Sequence, residues 1–237
     1  MAEDSEFYVR ESTAKLLFAS RPSCFGTILA DPPWQFSNRT GKVAPEHRRL
    51  RRYPTMALEE ILELPVARLA KSQAHLYLWV PNALLREGLD VMERWGFAYK
   101  TNLVWYKVRK DGGPDGRGVG FYFRNVTELV LFGVRGGLRT QAAGRRQVNL
   151  LASRKREHSR KPDQLYDLIE ACSPGPYLEL FARHDRAGWY QWGDEIASRS
   201  LDVEAAVPEP SRARFSRPVL HLPARRQKAL LTAEHTR

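Results

Sequence analysis

The sequence contains few of the residues that build metal sites and disulfide frameworks. It has 237 residues but only two cysteines, Cys24 and Cys172, which lie far apart and form no C-x-x-C motif. The six histidines show no paired metal-ligand spacing. These absences exclude a zinc ribbon and argue against a disulfide scaffold. We therefore expect no metal centre.

Long apolar runs are also missing. No stretch approaches the roughly 20 residues that a helix needs to span a bilayer. The first twelve residues, MAEDSEFYVRES, are polar and acidic and do not resemble a signal peptide. We expect a cytoplasmic protein with no membrane partner.

Positive charge is in clear excess. The chain has 38 Lys and Arg against 27 Asp and Glu, a formal net charge of +11. Much of this charge is clustered in three segments, 39–52, 107–117 and 145–160, which follow predicted strands or precede a predicted helix. An excess of this kind favours a polyanionic partner, most often nucleic acid. The alternative is a basic but otherwise ordinary enzyme with a solvated surface.

Apolar strand patterns alternate with helical ones along the middle of the chain, which predicts an α/β fold with a mostly parallel sheet and helices on both faces. Residues 21–197 form the predicted domain. Residues 1–20 are an N-terminal extension, and residues 198–237, with four prolines and scattered arginines, are a predicted flexible basic tail. The predicted strands are 25–30, 74–80, one ending near 105, 126–135 and 177–182, and residues 120–123 either pair with 126–135 or form a turn into it. The predicted helices are 56–70 with a break at Pro65, one capped by Asn82 and stopped by Gly96, and one opened by Lys161-Pro162.

The segment TILADPPWQF ends a buried strand with Asp31, Pro32, Pro33 and Trp34. Ligands of open α/β sheets bind at the carboxyl ends of strands. The two prolines have fixed φ angles and no backbone N–H, so this tip is rich in acceptors and poor in donors. Such a set suits a planar ring with an exocyclic amine: the Asp31 carboxylate and the Pro32 carbonyl accept its N–H groups, and Trp34 walls the ring. The alternative is a strand followed by a proline-rich turn with a packed tryptophan.

Four motifs in order give this chain a family resemblance. They are ADPPW at 30–34, YPTM at 53–56, LYLWV at 76–80 and SRKPDQLYDLIE at 159–170. Together they resemble the DPPW-type adenine-N6 methyltransferases, the family of the eukaryotic mRNA adenosine methyltransferase and its small bacterial and phage relatives. The resemblance runs from about residue 25 to residue 196 and implies a Rossmann-like, S-adenosylmethionine-dependent methyltransferase fold.

The resemblance also assigns expected cofactor residues. In the family the aspartate that matches Asp31 contacts the target amine and the methionine amino group, and the lysine that matches Lys161 binds the methionine carboxylate. A helix N-terminus beside Lys161 would favour the same anion. Residues 1–24 contain no match for the family's contact to the cofactor adenine. The remaining expected cofactor contacts are Glu179, Phe181, Arg183, His184 and Asp185, with Asp194 and Glu195 at the ribose, where relatives often carry amides.

Substrate residues follow from the same comparison and from the charge pattern. The resemblance implies contact with the substrate pocket at Tyr53, Trp105, Asn125 and Glu128, with a plain packing role as the alternative for each. The charge pattern predicts contact with the polynucleotide backbone at Arg48, Arg49, Arg51 and Arg52. The predicted function is N6 methylation of adenine in DNA with short or weak sequence specificity, by a monomer or homodimer. Two alternatives stay open: the same reaction on RNA, and a catalytically silent nucleic-acid-binding subunit.

Overall fold

A computed structural model of the protein describes residues 23–36, 55–116, 122–141, 146–154 and 160–193. The predicted extension at 1–20 and the predicted tail at 198–237 lie outside these ranges. No helix in the described ranges is long and apolar enough to cross a membrane. The strands are β1 (Phe25–Ala30), β2 (Ala70–Val80), β3 (Ala98–Val108), β4 (Thr127–Arg135), β5 (Leu150–Arg154), β6 (Tyr177–Leu180) and β7 (Trp189–Trp192), and the α-helices are α1 (Leu58–Glu63), α2 (Leu85–Arg94) and α3 (Gln164–Cys172).

The seven strands form one sheet in the order β5-β3-β4-β2-β1-β6-β7. Every neighbouring pair is parallel except the two that involve β4, which runs antiparallel to both β2 and β3. The carboxyl ends of six strands therefore share one edge of the sheet with the amino end of β4. We call this the catalytic edge. The predicted Rossmann-like, mostly parallel α/β fold is confirmed.

Both faces of the sheet are covered because successive side chains of a strand point to opposite sides. On one face, Ile28 and Leu78 pack against Ile61 of α1 and Met92 of α2. On the other face, Leu29 and its neighbours pack against Leu165 and Ile169 of α3. Each fully buried side chain of this size contributes about 1.5–3 kcal/mol, so the central strands are held from both sides.

Several element boundaries differ from the prediction. The helix that Lys161-Pro162 was expected to open begins at Gln164, since Pro162 instead offers its carbonyl to the amide of Leu165 at 3.1 Å. Asn82 does not cap α2; it lies in a short 3-10 turn, Asn82–Leu84, and its side chain reaches β4. Gly96 follows the end of α2 with a φ of +82°, as its predicted role as a stop requires.

Candidate active site

A cavity of about 250 Å³ opens at the catalytic edge, between the carboxyl ends of β1, β2 and β6 and the first turn of α3. Asp31 follows β1, Trp79 lies near the end of β2, and Lys161 precedes α3. The fold therefore brings together residues separated by up to 157 positions in sequence, from Leu29 to Arg186. Of the residues predicted to bind cofactor, those that line this cavity are Asp31, Lys161, Glu179, Phe181, Arg183, His184 and Asp185.

Lys161 is the centre of an ion-pair network inside the site. Its Nζ lies 3.2 Å from Asp31 Oδ1 and 2.9 Å from Glu128 Oε2. Lys107 Nζ pairs with the other oxygen of Glu128. Two carboxylates and two ammonium groups thus alternate along the chain Asp31–Lys161–Glu128–Lys107, and their charges sum to zero. Among the residues that the structure describes, only Oδ1 of Asp31 forms an ion pair, which leaves Oδ2 to accept hydrogen bonds from a ligand.

Glu128 and Lys161 keep their charges over a wide pH range. Burial opposes ionisation of Glu128, but Lys161 and Lys107 outweigh it and hold the pKa of Glu128 at about 2. Burial likewise opposes the charge on Lys161, yet Asp31 and Glu128 raise the pKa of Lys161 above its usual value. An ammonium group therefore faces the cavity at neutral pH.

Two tryptophan rings contact the lysines of this network. Lys161 Nζ lies 4.5 Å from the centre of the Trp79 ring, and Lys107 Nζ lies 4.8 Å from the centre of the Trp105 ring. The two rings meet edge to face at 5.9 Å. Trp105 Nε1 donates to Ser153 Oγ at 2.8 Å. Each cation is attracted to an aromatic face, which fixes the lysines that bracket Glu128.

A second polar group lies at the β6 side of the cavity. Glu179 accepts a hydrogen bond from Tyr166 OH at 2.7 Å and another from Gln191 Nε2 at 3.0 Å. Burial raises the pKa of Glu179 and of Tyr166 above their usual values. Arg186 lies 4.7 Å from the Tyr166 ring and pairs with Glu170 of α3 at 2.9 Å. These contacts tie α3 to the segment that follows β6.

The backbone after β6 is strained where it meets the cavity. Phe181 has a φ of +64°, a left-handed conformation that a residue with a side chain rarely adopts. Its ring packs edge to face on Trp192 at 5.3 Å. Gly193 allows this turn, because a Cβ there would lie 2.0 Å from the carbonyl oxygen of Ala182. Strain of this kind persists where surrounding contacts over-determine it, often at ligand sites.

One buried donor of the cavity wall is unsatisfied. Within the described residues, the buried Nε of Arg160 has no hydrogen-bond partner, although another nitrogen of the same side chain pairs with Asp163 at 3.5 Å. An unmatched buried donor is costly. A ligand with acceptor oxygens would satisfy it.

The DPPW segment divides between the two faces of the sheet. The amide of Trp34 donates to the Pro32 carbonyl at 2.8 Å, and the amide of Met56 donates to the Pro33 carbonyl at 2.9 Å. The indole of Trp34, 6% exposed, packs in the apolar core with α1 and donates from Nε1 to the carbonyl of Trp79. It does not line the described cavity, because this turn carries the ring to the opposite face from Asp31. Pro32 and Pro33 are not among the residues that line the described cavity, and the Trp34 amide uses one of the two lone pairs of the Pro32 carbonyl.

The predicted substrate residues that the structure describes lie at three different positions relative to the site. Glu128 joins the site through Lys161, Trp105 is buried beneath it, and Asn125 is exposed just before β4. Lys107, expected in a basic loop cluster that holds the polynucleotide backbone, instead lies within β3, mostly buried and paired with Glu128, which corrects that expectation. The predictions for Tyr53, Arg48, Arg49, Arg51, Arg52, Asp194 and Glu195 fall outside the described residues.

Sequence reasoning missed four contributors to the site, namely Trp79, Lys107, Tyr166 and Gln191. Strand alternation could have found two of them: Trp79 shares a face with Tyr77 on β2, and Lys107 shares one with Trp105 on β3. Tyr166 lies in the first turn of α3, within the SRKPDQLYDLIE motif. Gln191 carried no signal in the sequence.

Comparison with known proteins places these residues in context. A protein-family model described as MT-A70 matches residues 25–195. The chain is 33% identical over 195 residues to a putative N(6)-adenosine-methyltransferase MT-A70-like protein of Medicago truncatula, covering 81% of this chain and 29% of that protein. It is 29% identical over 195 residues to the type II methyltransferase M.MunI of Mycoplasma sp, covering 76% of this chain and 81% of that protein. It is 27% identical over 176 residues to the human N(6)-adenosine-methyltransferase catalytic subunit METTL3, covering 73% of this chain and 28% of that protein. The chain thus spans less than a third of the length of the plant and human relatives.

Proposed function

This chain belongs to the MT-A70 family, and from that membership we propose that it methylates the exocyclic N6 amine of adenine in DNA, acting as a monomer or homodimer. Methyltransferases of this family use S-adenosylmethionine as the methyl donor. The observation that carries the proposal is the position of Asp31, fixed at the end of β1, facing the cavity and paired on one oxygen with Lys161 at 3.2 Å.

The residues at the cavity suit this cofactor chemically. Lys161 and the unsatisfied Nε of Arg160 are donors for the methionine carboxylate, and Asp31 is an acceptor for the methionine amino group. Glu179 and the strained backbone at Phe181 border the nucleoside side, and we propose Asp194 and Glu195 for the ribose hydroxyls. When bound, S-adenosylmethionine supplies a methyl group on a positively charged sulfur.

Asp31 then has two tasks toward the target base. The lone pair of an aryl amine is delocalised into its ring, so the amine is a poor nucleophile. The free oxygen of Asp31 and the Pro32 carbonyl accept the two N–H groups, which favours a pyramidal nitrogen and directs its lone pair into the cavity. Asp31 is also positioned to take the proton that the methylated amine releases. The Lys161 ammonium, 3.2 Å from Oδ1, holds the Asp31 side chain in position for both tasks.

DNA is favoured over RNA by the extent of the matches. The alignment covers 81% of a type II methyltransferase, whereas it covers 54% of the N6-methyladenosine RNA methyltransferase MTA1 of Cryphonectria parasitica. Small stand-alone relatives with basic loops are mainly DNA adenine methyltransferases in the family this chain resembles. Exposed basic groups at the carboxyl ends of β3 and β5, such as Lys110 and Arg154, lie on the catalytic edge, where a phosphate backbone would pass. RNA is the second candidate substrate, because one of the relatives is named an N6-methyladenosine RNA methyltransferase.

The test is an assay of methyl transfer with the full chain. The protein is incubated with labelled S-adenosylmethionine and single-stranded DNA, duplex DNA or RNA of the same sequence, and the methylated nucleoside is identified by mass spectrometry. We expect N6-methyladenine in DNA, and a loss of at least about 100-fold in Asp31→Asn. Asp90→Asn, an exposed change on α2, is the matched control.

Three other results would contradict the mechanism, the substrate or the activity itself. Methylated cytosine, or full activity in Asp31→Asn, would contradict the mechanism. Methylation of RNA alone would replace the substrate and keep the chemistry. Binding of nucleic acid without calorimetrically detectable binding of S-adenosylmethionine would indicate a catalytically silent subunit.

A further inference from the structure

Two neighbouring aromatic side chains, Tyr122 and Phe123, stand almost fully in solvent. Tyr122 is 95% exposed and Phe123 is 86% exposed. A single exposed apolar side chain is common on protein surfaces. Two adjacent rings that contribute almost nothing to the core are not explained by folding, and nothing in the proposed reaction uses them.

The segment that carries these rings is anchored at the catalytic edge. It leads directly into β4, whose amino end lies at that edge because β4 runs antiparallel to its neighbours. The carbonyl of Val126 accepts a hydrogen bond from the amide of Lys107 at 2.8 Å. Asn82 Nδ2 donates to the carbonyl and the hydroxyl of Thr127 at 3.2 and 3.0 Å. The rings therefore project from a fixed base.

The distance from the rings to the site suits a polynucleotide. Phe123 precedes Glu128 by five residues, so their Cα atoms are at most about 18 Å apart even in an extended chain. Glu128 contacts the same lysine as Asp31. A stacked nucleic-acid strand advances about 3.4 Å per nucleotide. The rings thus lie within reach of bases about five nucleotides or fewer from a base held at the Asp31 site.

The chemistry of the surface favours bases over a protein partner. Aromatic faces stack on nucleobases of any sequence, and the adjacent Arg124 and the basic ends of β3 and β5 suit a phosphate backbone. Among the described residues, the other exposed large apolar side chains, Leu85, Tyr99, Val148 and Leu150, belong to other segments of the chain. Two rings alone fall well short of the roughly 800 Å² per partner that a stable protein interface buries.

We propose that Tyr122 and Phe123 form a stacking platform for unpaired bases that flank the target adenine. The inference rests on the proposed function for the identity of the polymer. It assigns to this pair the non-specific part of substrate affinity and a preference for strands whose bases are unpaired. It predicts a role in holding the strand and none in holding the cofactor.

The experiment measures binding and turnover in the double variant Tyr122→Ala/Phe123→Ala. Single-stranded oligonucleotides carry one 2-aminopurine at successive positions beside the target adenine. We expect wild type to quench this fluorescent base at one or two positions and the variant not to, with affinity about 5- to 100-fold weaker. The slope of log affinity against log salt should stay unchanged, since no phosphate contact is lost. KM for the oligonucleotide should rise, with kcat and S-adenosylmethionine affinity retained.

Two control variants make the result specific. Tyr122→Phe/Phe123→Tyr keeps both rings and should bind as wild type does. Tyr99→Ala removes a 44% exposed aromatic near the start of β3, at the opposite edge of the sheet, and should have no effect. Equal thermal unfolding midpoints for all variants establish that the fold is intact.

Unchanged affinity and quenching in the double variant would overturn the inference. It would also be overturned if the variant changed the sedimentation of the free protein while its affinity for oligonucleotides stayed the same, which would indicate a protein interface. Quenching by wild type that disappears in the variant supports the platform even if no adenine is methylated. In that case the proposed function fails and the inference stands.

Discussion

Replacing Glu128 with glutamine removes the negative charge that lies between Lys161 and Lys107. The carboxylate has a pKa of about 2 against an ordinary value of 4.5, because its two lysines outweigh the effect of burial. Each unit of such a shift corresponds to about 1.36 kcal/mol. The charge on Glu128 therefore contributes on the order of 3 kcal/mol to the free energy of unfolding at neutral pH.

The sign of the pH dependence follows from the direction of the shift. A carboxyl whose pKa is depressed by folding stabilises the protein above the unfolded value of about 4.5, and this contribution is lost as the pH falls toward about 2. At pH 3 about 1 kcal/mol remains. The difference in unfolding free energy between wild type and Glu128→Gln should therefore shrink by about 2 kcal/mol between pH 7 and pH 3.

Urea unfolding at the two pH values, followed by tryptophan fluorescence, measures this difference. Glu93→Gln, an exposed change on α2, removes one negative charge without touching the network and controls for net charge. A difference between wild type and Glu128→Gln that is the same at both pH values would refute the reasoning. It would mean that the two lysines do not stabilise the ionised form of Glu128.

Three further predictions concern separate parts of the fold. Lys161→Met should weaken S-adenosylmethionine binding by at least about tenfold in calorimetry, because the proposed charge-assisted contact to the methionine carboxylate is removed. Ser173→Ala should cost about 2–3 kcal/mol in urea unfolding, since the Ser173 hydroxyl lies 2.8 Å from both His75 Nδ1 and Tyr77 OH and its loss leaves these two buried atoms unmatched. Gly193→Ala should lower the thermal midpoint, because its Cβ would fall 2.0 Å from a backbone oxygen; an unchanged midpoint would show that this turn relaxes freely.

The sequence predicts the central strands well because they are buried on both faces. β1 has its predicted bounds, Phe25–Ala30, and every residue in it is buried. The strand β5, Leu150–Arg154, escaped prediction because it lies at the edge of the sheet, with exposed and half-exposed residues alternating and a basic surround. Edge strands lack the continuous apolar run on which the prediction depended.

The site itself was predictable only in part. Asp31 and Lys161 stand in motifs that place them at a strand end and before a helix, and the fold brings both to the cavity. Their link through Glu128 depends on the register of β4 against β3, which pairs Glu128 with Trp105. Register between strands is a tertiary property, and local sequence does not encode it. Trp34 was expected beside Asp31, but the turn of two residues between them places its ring on the other face of the sheet. The direction of such a turn is not visible in the strand pattern.

The reversed direction of β4 has a consequence for where this fold can vary. Because β4 enters the sheet from the catalytic edge, the connection from β3 to β4 begins and ends at that edge. Its two ends are pinned by hydrogen bonds of Lys107 and Asn82, independently of what lies between them. Asp115 belongs to the β3 anchor, because it is buried and its amide donates to the carbonyl of Lys107 at 2.9 Å. We expect that segments inserted between Asp115 and Val126 can be exchanged without changing the register of β3 and β4, which makes this connection a natural grafting point of the fold.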